Sequence, residues 1–178
     1  MKIVPIFGEH LKAIKYPEEE KDEFSRLFEL WQNAEYLEDF FEAHKADLTN
    51  GHWGDIGVNV AILETYDYAE KLEERLLELS GRSERGICRG LNEIFKPLHD
   101  SQTQIIPLNK TKAKQDWLRI YALRVESNVY IVTGGAIKLT RAMQEREHTR
   151  RELDKLEAVR AFLIAHGIDD HIIESIES

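Results

Sequence analysis

Residues 117–140, WLRIYALRVESNVYIVTGGAIKLT, decide the fold. Leu118, Ile120, Ala122 and Val125 are interleaved with Arg119, Tyr121 and Arg124, roughly the period-two pattern of a strand with one buried face. Ser127-Asn128 supplies a turn, and Val129-Tyr130-Ile131-Val132 is an apolar run rich in β-branched residues. The stretch therefore reads as two strands. Gly134-Gly135 breaks the second, because paired glycines mark a bend or bulge where side chains would obstruct.

Working outward, Thr103 to Leu108 reads as a further strand, and Asn109 to Lys114, with Lys110, Lys112 and Lys114, as a lysine-rich hairpin loop. On the N-terminal side, Lys2 to Phe7 predicts a first strand, with Pro5 placing it near an edge. Helices are expected over 18–32, from Leu37 to about Leu48, over 58–79 with Ser80-Gly81 as its stop, and over 83–95. On the C-terminal side, Arg141 to His166 predicts a long helix ended by Gly167, and Asp169 a capped short helix through Ile176. The polar run 144–152, QEREHTRRE, is expected in solvent.

This order gives one α+β domain over 1–178, mostly helical over 1–95, a β-meander over 96–140 and C-terminal helices over 141–178. The sheet is expected to be small and antiparallel, the N-terminal strand joining a three-stranded meander. At 178 residues the chain is long enough for one sizeable core. No apolar run of about 18 residues predicts a membrane helix. The N-terminus lacks the pattern of a signal peptide, and the single cysteine, Cys88, fits a reducing compartment. The expected location is the cytoplasm.

Charge is unevenly spread. Residues 1–95 hold 11 Lys/Arg against 21 Asp/Glu, a net of −10; residues 96–151 hold 11 against 5, a net of +6; residues 152–178 hold 2 against 7, a net of −5. An acidic helical body carrying a basic sheet would attract a polyanion or an acidic protein partner. A fluctuation along a solvated surface gives the same numbers. The seven histidines are scattered at 10, 44, 52, 99, 148, 166 and 171 without metal-ligand spacing, and no cofactor motif surrounds Gly134-Gly135. Neither metal nor cofactor is expected. Trp31, Trp53 and Trp117 are expected to anchor the core.

Gly90-Leu91-Asn92-Glu93-Ile94-Phe95-Lys96-Pro97-Leu98, the strand from Trp117 to Arg124 and the strand from Tyr130 to Lys138 together resemble the RelE/ParE superfamily of toxins from bacterial type II toxin–antitoxin modules. The resemblance spans roughly 90–145; the first 85 residues are longer than the family's usual helical hairpin. It implies metal-independent endonucleolytic cleavage of mRNA on the ribosome for RelE- and HigB-like members, or gyrase poisoning for ParE-like ones, with a cognate antitoxin as partner. A non-catalytic interaction protein on the same fold is the alternative. Cleavage without metal needs a base for the 2′-hydroxyl, positive charge for the phosphorane and an acid for the leaving 5′-oxygen. The catalytic candidates are Arg119, Tyr121 and Arg124, and the RNA-binding candidates Lys110, Lys112, Lys114 and Lys138. Strand parity puts Arg119 and Tyr121 on one face, expected to be open, and Arg124 on the other unless a bulge intervenes.

Overall fold

The structure, a computed structural model, describes residues 1–50, 53–86, 90–98, 117–126, 128–140 and 146–178. The expected strand over 103–108 and the lysines at 110, 112 and 114 lie outside the described residues. The class is α+β. The elements are β1 (Lys2–Phe7), β2 (Leu11–Lys15), α1 (Glu23–Trp31), α2 (Ala34–Ala43), α3 (Lys45–Asn50), α4 (Val58–Glu84), β3 (Lys96–Pro97), β4 (Leu118–Glu126), β5 (Val129–Ile137), α5 (Glu147–Ala165) and β6 (Glu174–Glu177).

The strands form one mixed sheet in the order β1-β2-β5-β4-β6-β3. The β4–β5 hairpin forms as expected and stands at the sheet's centre, and β1 is an edge strand, as Pro5 requires. Three strands were not legible: β2, β6 and the two-residue β3, where Pro97 was expected only to stop a helix. β2 completes a hairpin with β1 and pairs parallel with β5, from Leu11↔Tyr130 to Ala13↔Val132, so the N-terminal strand reaches the sheet through β2 and the sheet is not wholly antiparallel. β6 pairs antiparallel with β4 where a last helix was expected. Asp169 does cap, accepting from the His171 amide at 3.0 Å, but only a 3-10 turn over Asp170–Ile172 follows. The β-branched Ile173, just ahead of β6, and Ile176 within it are then buried in the core.

Helix bounds also move for local reasons. α1 begins at Glu23 because Asp22 is its N-cap, accepting the Ser25 amide at 3.0 Å, rather than at the acidic run 18–20. The expected second helix is two, α2 capped by Asn33 and then α3. α4 runs through Ser80-Gly81: the Ser80 hydroxyl donates to the Phe7 carbonyl at 3.0 Å, and Gly81 lies against the Phe7 ring. In place of a helix over 83–95 there is a 3-10 turn at Leu91–Glu93, with 87–89 outside the described residues.

Both faces of the sheet are covered. Leu118, Ile120, Ala122 and Val132 pack with Leu27, Trp31, Phe41 and Leu76 of the N-terminal helices. Tyr121, Leu123, Val125 and Ile131 pack with Leu156, Val159 and Leu163 of α5. The expected open face of Arg119 and Tyr121 is therefore not open. From Ile120 onward both parities of β4 are largely apolar, the signature of a strand buried on two sides rather than one.

Candidate functional site

The feature that organises the site is the β2-facing edge of β5. β2 pairs with β5 only as far as Val132, so beyond it this edge has no strand partner among the described residues. Backbone groups left there need other partners, and side chains supply them. Tyr16 Oη donates to the Thr133 carbonyl at 2.9 Å, the Gly135 amide donates to Glu152 Oε2 at 2.9 Å, and His148 Nε2 donates to the Ile137 carbonyl at 2.9 Å. The polar start of α5 is thus not simply a solvated face. It presents His148 and Glu152 to an unfinished sheet.

The glycine pair makes this approach possible. A Cβ at Gly134 would strike the Glu152 carboxylate, and one at Gly135 would stand 2.7 Å from the Arg119 carbonyl oxygen and 2.8 Å from Leu27 Cδ1. The bulge expected here is real: Tyr121 faces Gly134 but Ala122 faces Val132, leaving Thr133 as the extra residue. The Thr133 hydroxyl donates to the Tyr121 carbonyl at 3.1 Å.

Glu152 belongs to a charge network joining α5 to α1. Glu23 is 1% exposed and takes two hydrogen bonds from Arg26, at 2.7 and 2.8 Å. Lys155 Nζ lies 3.2 Å from Glu23 and 3.1 Å from Glu152, and 5.6 Å from the centre of the Tyr16 ring. Burial pushes the Glu152 carboxyl up from its ordinary range, against the pull of Lys155. Burial, then Glu23 and Glu152, likewise pushes the Tyr16 phenol up.

At the other end are two imidazoles. His44 and His148 meet edge to face, ring centres 5.0 Å apart, and Phe40 stacks on His44 at 4.3 Å. Arg146 clamps Asp47 through Nε at 2.9 Å and Nη2 at 2.5 Å, holding the start of α5 to α3. That bond holds the Asp47 carboxyl below its ordinary value. Burial holds the His148 imidazole below its own. Between these ends lies a cleft of about 350 Å³ lined by Arg26, Trp31, Tyr36, Phe40, His44, Gly135, His148, Arg151, Glu152 and Lys155.

The residues expected from sequence fall elsewhere. Arg119 is half-buried, its Nη1 donating to the Leu118 carbonyl at 2.7 Å. Tyr121 shares its face but is fully buried beneath α5, and its hydroxyl has no hydrogen-bond partner among the described residues. Burial raises the Tyr121 phenol above its ordinary value. Arg124 stays on the opposite face, because the bulge at Thr133 is on β5 and does not turn β4; it is ion-paired with Glu174 and hydrogen-bonded to Tyr130. Lys138 is half-buried just past β5, its amide bonded to the Trp117 carbonyl at 2.7 Å. The structure thus brings Arg119 and Tyr121 together and leaves Arg124 apart. The cleft residues were missed. Glu23–Arg26 and Glu152–Lys155 are each visible as i,i+3 pairs, but nothing in the sequence joins the two pairs or brings His44 to His148.

Among the described residues no group of three or more His, Cys, Asp or Glu is arranged to hold a metal ion, and no helix is long and apolar enough to cross a membrane. No family model, curated protein or solved structure matches the chain.

The two perturbed groups that titrate nearest neutrality act in opposite directions. The fold favours neutral His148, so its contribution is complete above the ordinary histidine value of about 6.5 and is lost as pH falls. It favours protonated Glu152, whose contribution is present in acid and lost as pH rises past the ordinary value of about 4.3. Replacing His148 by glutamine removes the first alone. The stability gap between wild type and H148Q, from chemical denaturation, should narrow as pH falls from 7.5 to 5.5. Parallel curves would contradict the burial argument.

Proposed function

We propose that the chain is a RelE-like toxin of a bacterial type II toxin–antitoxin module, a metal-independent endoribonuclease that cuts mRNA on the ribosome in the cytoplasm and is neutralised by a cognate antitoxin. The support is of two kinds. A central β4–β5 hairpin, preceded by an N-terminal strand and helices and followed by the helix α5, is the part of the order expected from the resemblance that the described residues contain, with β2, β3 and β6 in addition to it. The observation that carries the activity is the cleft on the unpaired edge of that hairpin, which gathers Arg26, Arg151, Lys155, His44 and His148. Cations for a phosphate and imidazoles for proton transfer are what RNA cleavage without a metal requires. Arg119 remains a candidate phosphate contact on the hairpin, with Lys138 and the lysines at 110, 112 and 114 as candidate RNA contacts.

Inducing the chain without its genomic neighbour should halt translation and leave cleaved mRNA, and Arg119→Ala should weaken both. Unchanged growth with intact mRNA would sink the reading. A non-catalytic interaction protein on this fold, or a ParE-like gyrase poison, is the second reading. Buried Tyr121 and ion-paired Arg124 favour it, because neither is placed to meet a substrate.

A further inference from the structure

We infer that the cleft at the β5 edge is itself the catalytic site and takes single-stranded RNA, with His148 as general base, His44 as general acid, and Arg151 and Lys155 on the scissile phosphate. The inference rests on the ribonuclease reading above and names the groups that perform it.

Hydrogen bonding fixes the tautomers. A carbonyl only accepts, so His148 carries its proton on Nε2, bonded to Ile137, and its Nδ1 is left as a lone pair with no hydrogen-bond partner among the described residues. By the same logic His44 carries a proton on Nδ1, bonded to the Phe40 carbonyl, and its Nε2 is left over. Each ring is therefore oriented by one nitrogen and unengaged at the other, and both rings line the cleft. Burial, the neighbouring His44 and Arg146 all act to keep His148 neutral, opposed by its Ile137 bond and by Asp47.

The anion contacts have different reserves. Arg26 is already committed to Glu23 through both its bonded nitrogens. Arg151 has an exposed side chain whose one ion pair among the described residues is with Glu147 on its own helix, and such a pair is worth little in water. Lys155 is held at the cleft by Glu23 and Glu152. Half-buried Tyr36 and Phe40, ring centres 6.2 Å apart, offer faces on which an unstacked base can rest.

The step balances without a co-reactant. His148 Nδ1 takes the proton of a 2′-hydroxyl as that oxygen attacks the adjacent phosphorus. The phosphorus–O5′ bond breaks, and protonated His44 gives its Nε2 proton to the departing oxygen. The products are a 2′,3′-cyclic phosphate and a 5′-hydroxyl. His148 ends protonated and His44 neutral, and exchange with solvent restores both.

The test uses the purified full chain, purified ribosomes programmed with a defined mRNA, and the variants H148Q and R151A. Glutamine keeps a donor for the Ile137 carbonyl but cannot serve as a base. H148Q should cut about 10²–10⁴-fold more slowly while still unfolding in a single cooperative transition at pH 7.5. R151A, an exposed change, should raise KM about tenfold, the size of one charge-assisted contact, and lower kcat as well, because the same cation faces the phosphorane. The wild-type pH–rate profile should be bell-shaped and H148Q should lose its acidic limb. If wild type cuts and either H148Q keeps its rate or R151A its KM, the cleft assignment is overturned and the ribonuclease reading stands. If wild type leaves the mRNA whole, both fall.

Discussion

Trp117→Ala is expected to destabilise the protein by about 3–5 kcal/mol, the range for truncating a large buried aromatic. Trp117 stands immediately ahead of β4 and is 1% exposed. Its indole nitrogen donates to Thr65 Oγ1 at 2.8 Å, and its ring meets Phe41 at 5.9 Å and Trp53 at 5.8 Å, both edge to face. The residue thus joins α2, α4 and the hairpin, and the Lys138 amide on its carbonyl ties it to the far end of β5. A space framed by three separately anchored elements cannot close by a small shift, so the loss should sit toward the upper end of the range. Thr65 still donates to the Ala61 carbonyl at 2.7 Å, so little of the loss is an orphaned hydroxyl. Trp117→Phe, which keeps most of the volume, should recover more than half. Urea unfolding curves would check this, and a loss for alanine below about 1 kcal/mol would contradict the role assigned to the indole.

Gly135→Val is expected to cost about 3 kcal/mol through overpacking. The obstruction begins at Cβ, which would lie 2.7 Å from the Arg119 carbonyl oxygen, 2.8 Å from Leu27 Cδ1 and 3.1 Å from the Trp31 ring. Leu27 can rotate away. The Arg119 carbonyl is backbone of the paired strand and cannot yield without parting β4 from β5. Gly135→Ala should therefore already destabilise, and Leu27→Ala in the same chain should relieve only part of the strain. Because the Gly135 amide also holds Glu152, valine should disturb the cleft as well as the core. Thermal unfolding of the single and double variants measures both effects. Full rescue by Leu27→Ala would show that the side chain, not the strand backbone, sets the limit.

What the sequence revealed follows from where local physics suffices. The β4–β5 hairpin, the edge position of β1, the bulge beside Gly134 and the long helices are set by alternation, turn residues, glycine and helical periodicity. β2 escaped notice because Leu11–Lys15 is five residues long and buried on both faces: Leu11 and Ala13 enter one core and Ile14 the other, so no clear alternation marks it. β6 was hidden behind a genuine capping aspartate. The open face was wrongly expected because Arg119 and Arg124 drew the eye to charge, whereas Tyr121, Leu123 and Val125 already form an apolar stripe of the opposite parity. The cleft was not legible at all. His44 meets His148 beside the Arg146–Asp47 clamp and the Phe40 ring, and Glu23 reaches Lys155 where α1 and α5 flank the stretch of β5 that β2 leaves unpaired. Those are consequences of topology, and topology turned on the short β2.

The central claim is that this chain cuts mRNA through the 2′-hydroxyl chemistry of its own side chains. The most direct measurement is the chemical identity of the new 3′ ends on a defined mRNA after incubation with the full chain and programmed ribosomes, read by mass spectrometry. A 2′,3′-cyclic phosphate paired with a 5′-hydroxyl fragment is the predicted result. Intact mRNA, or fragments ending in a 3′-hydroxyl, would contradict it.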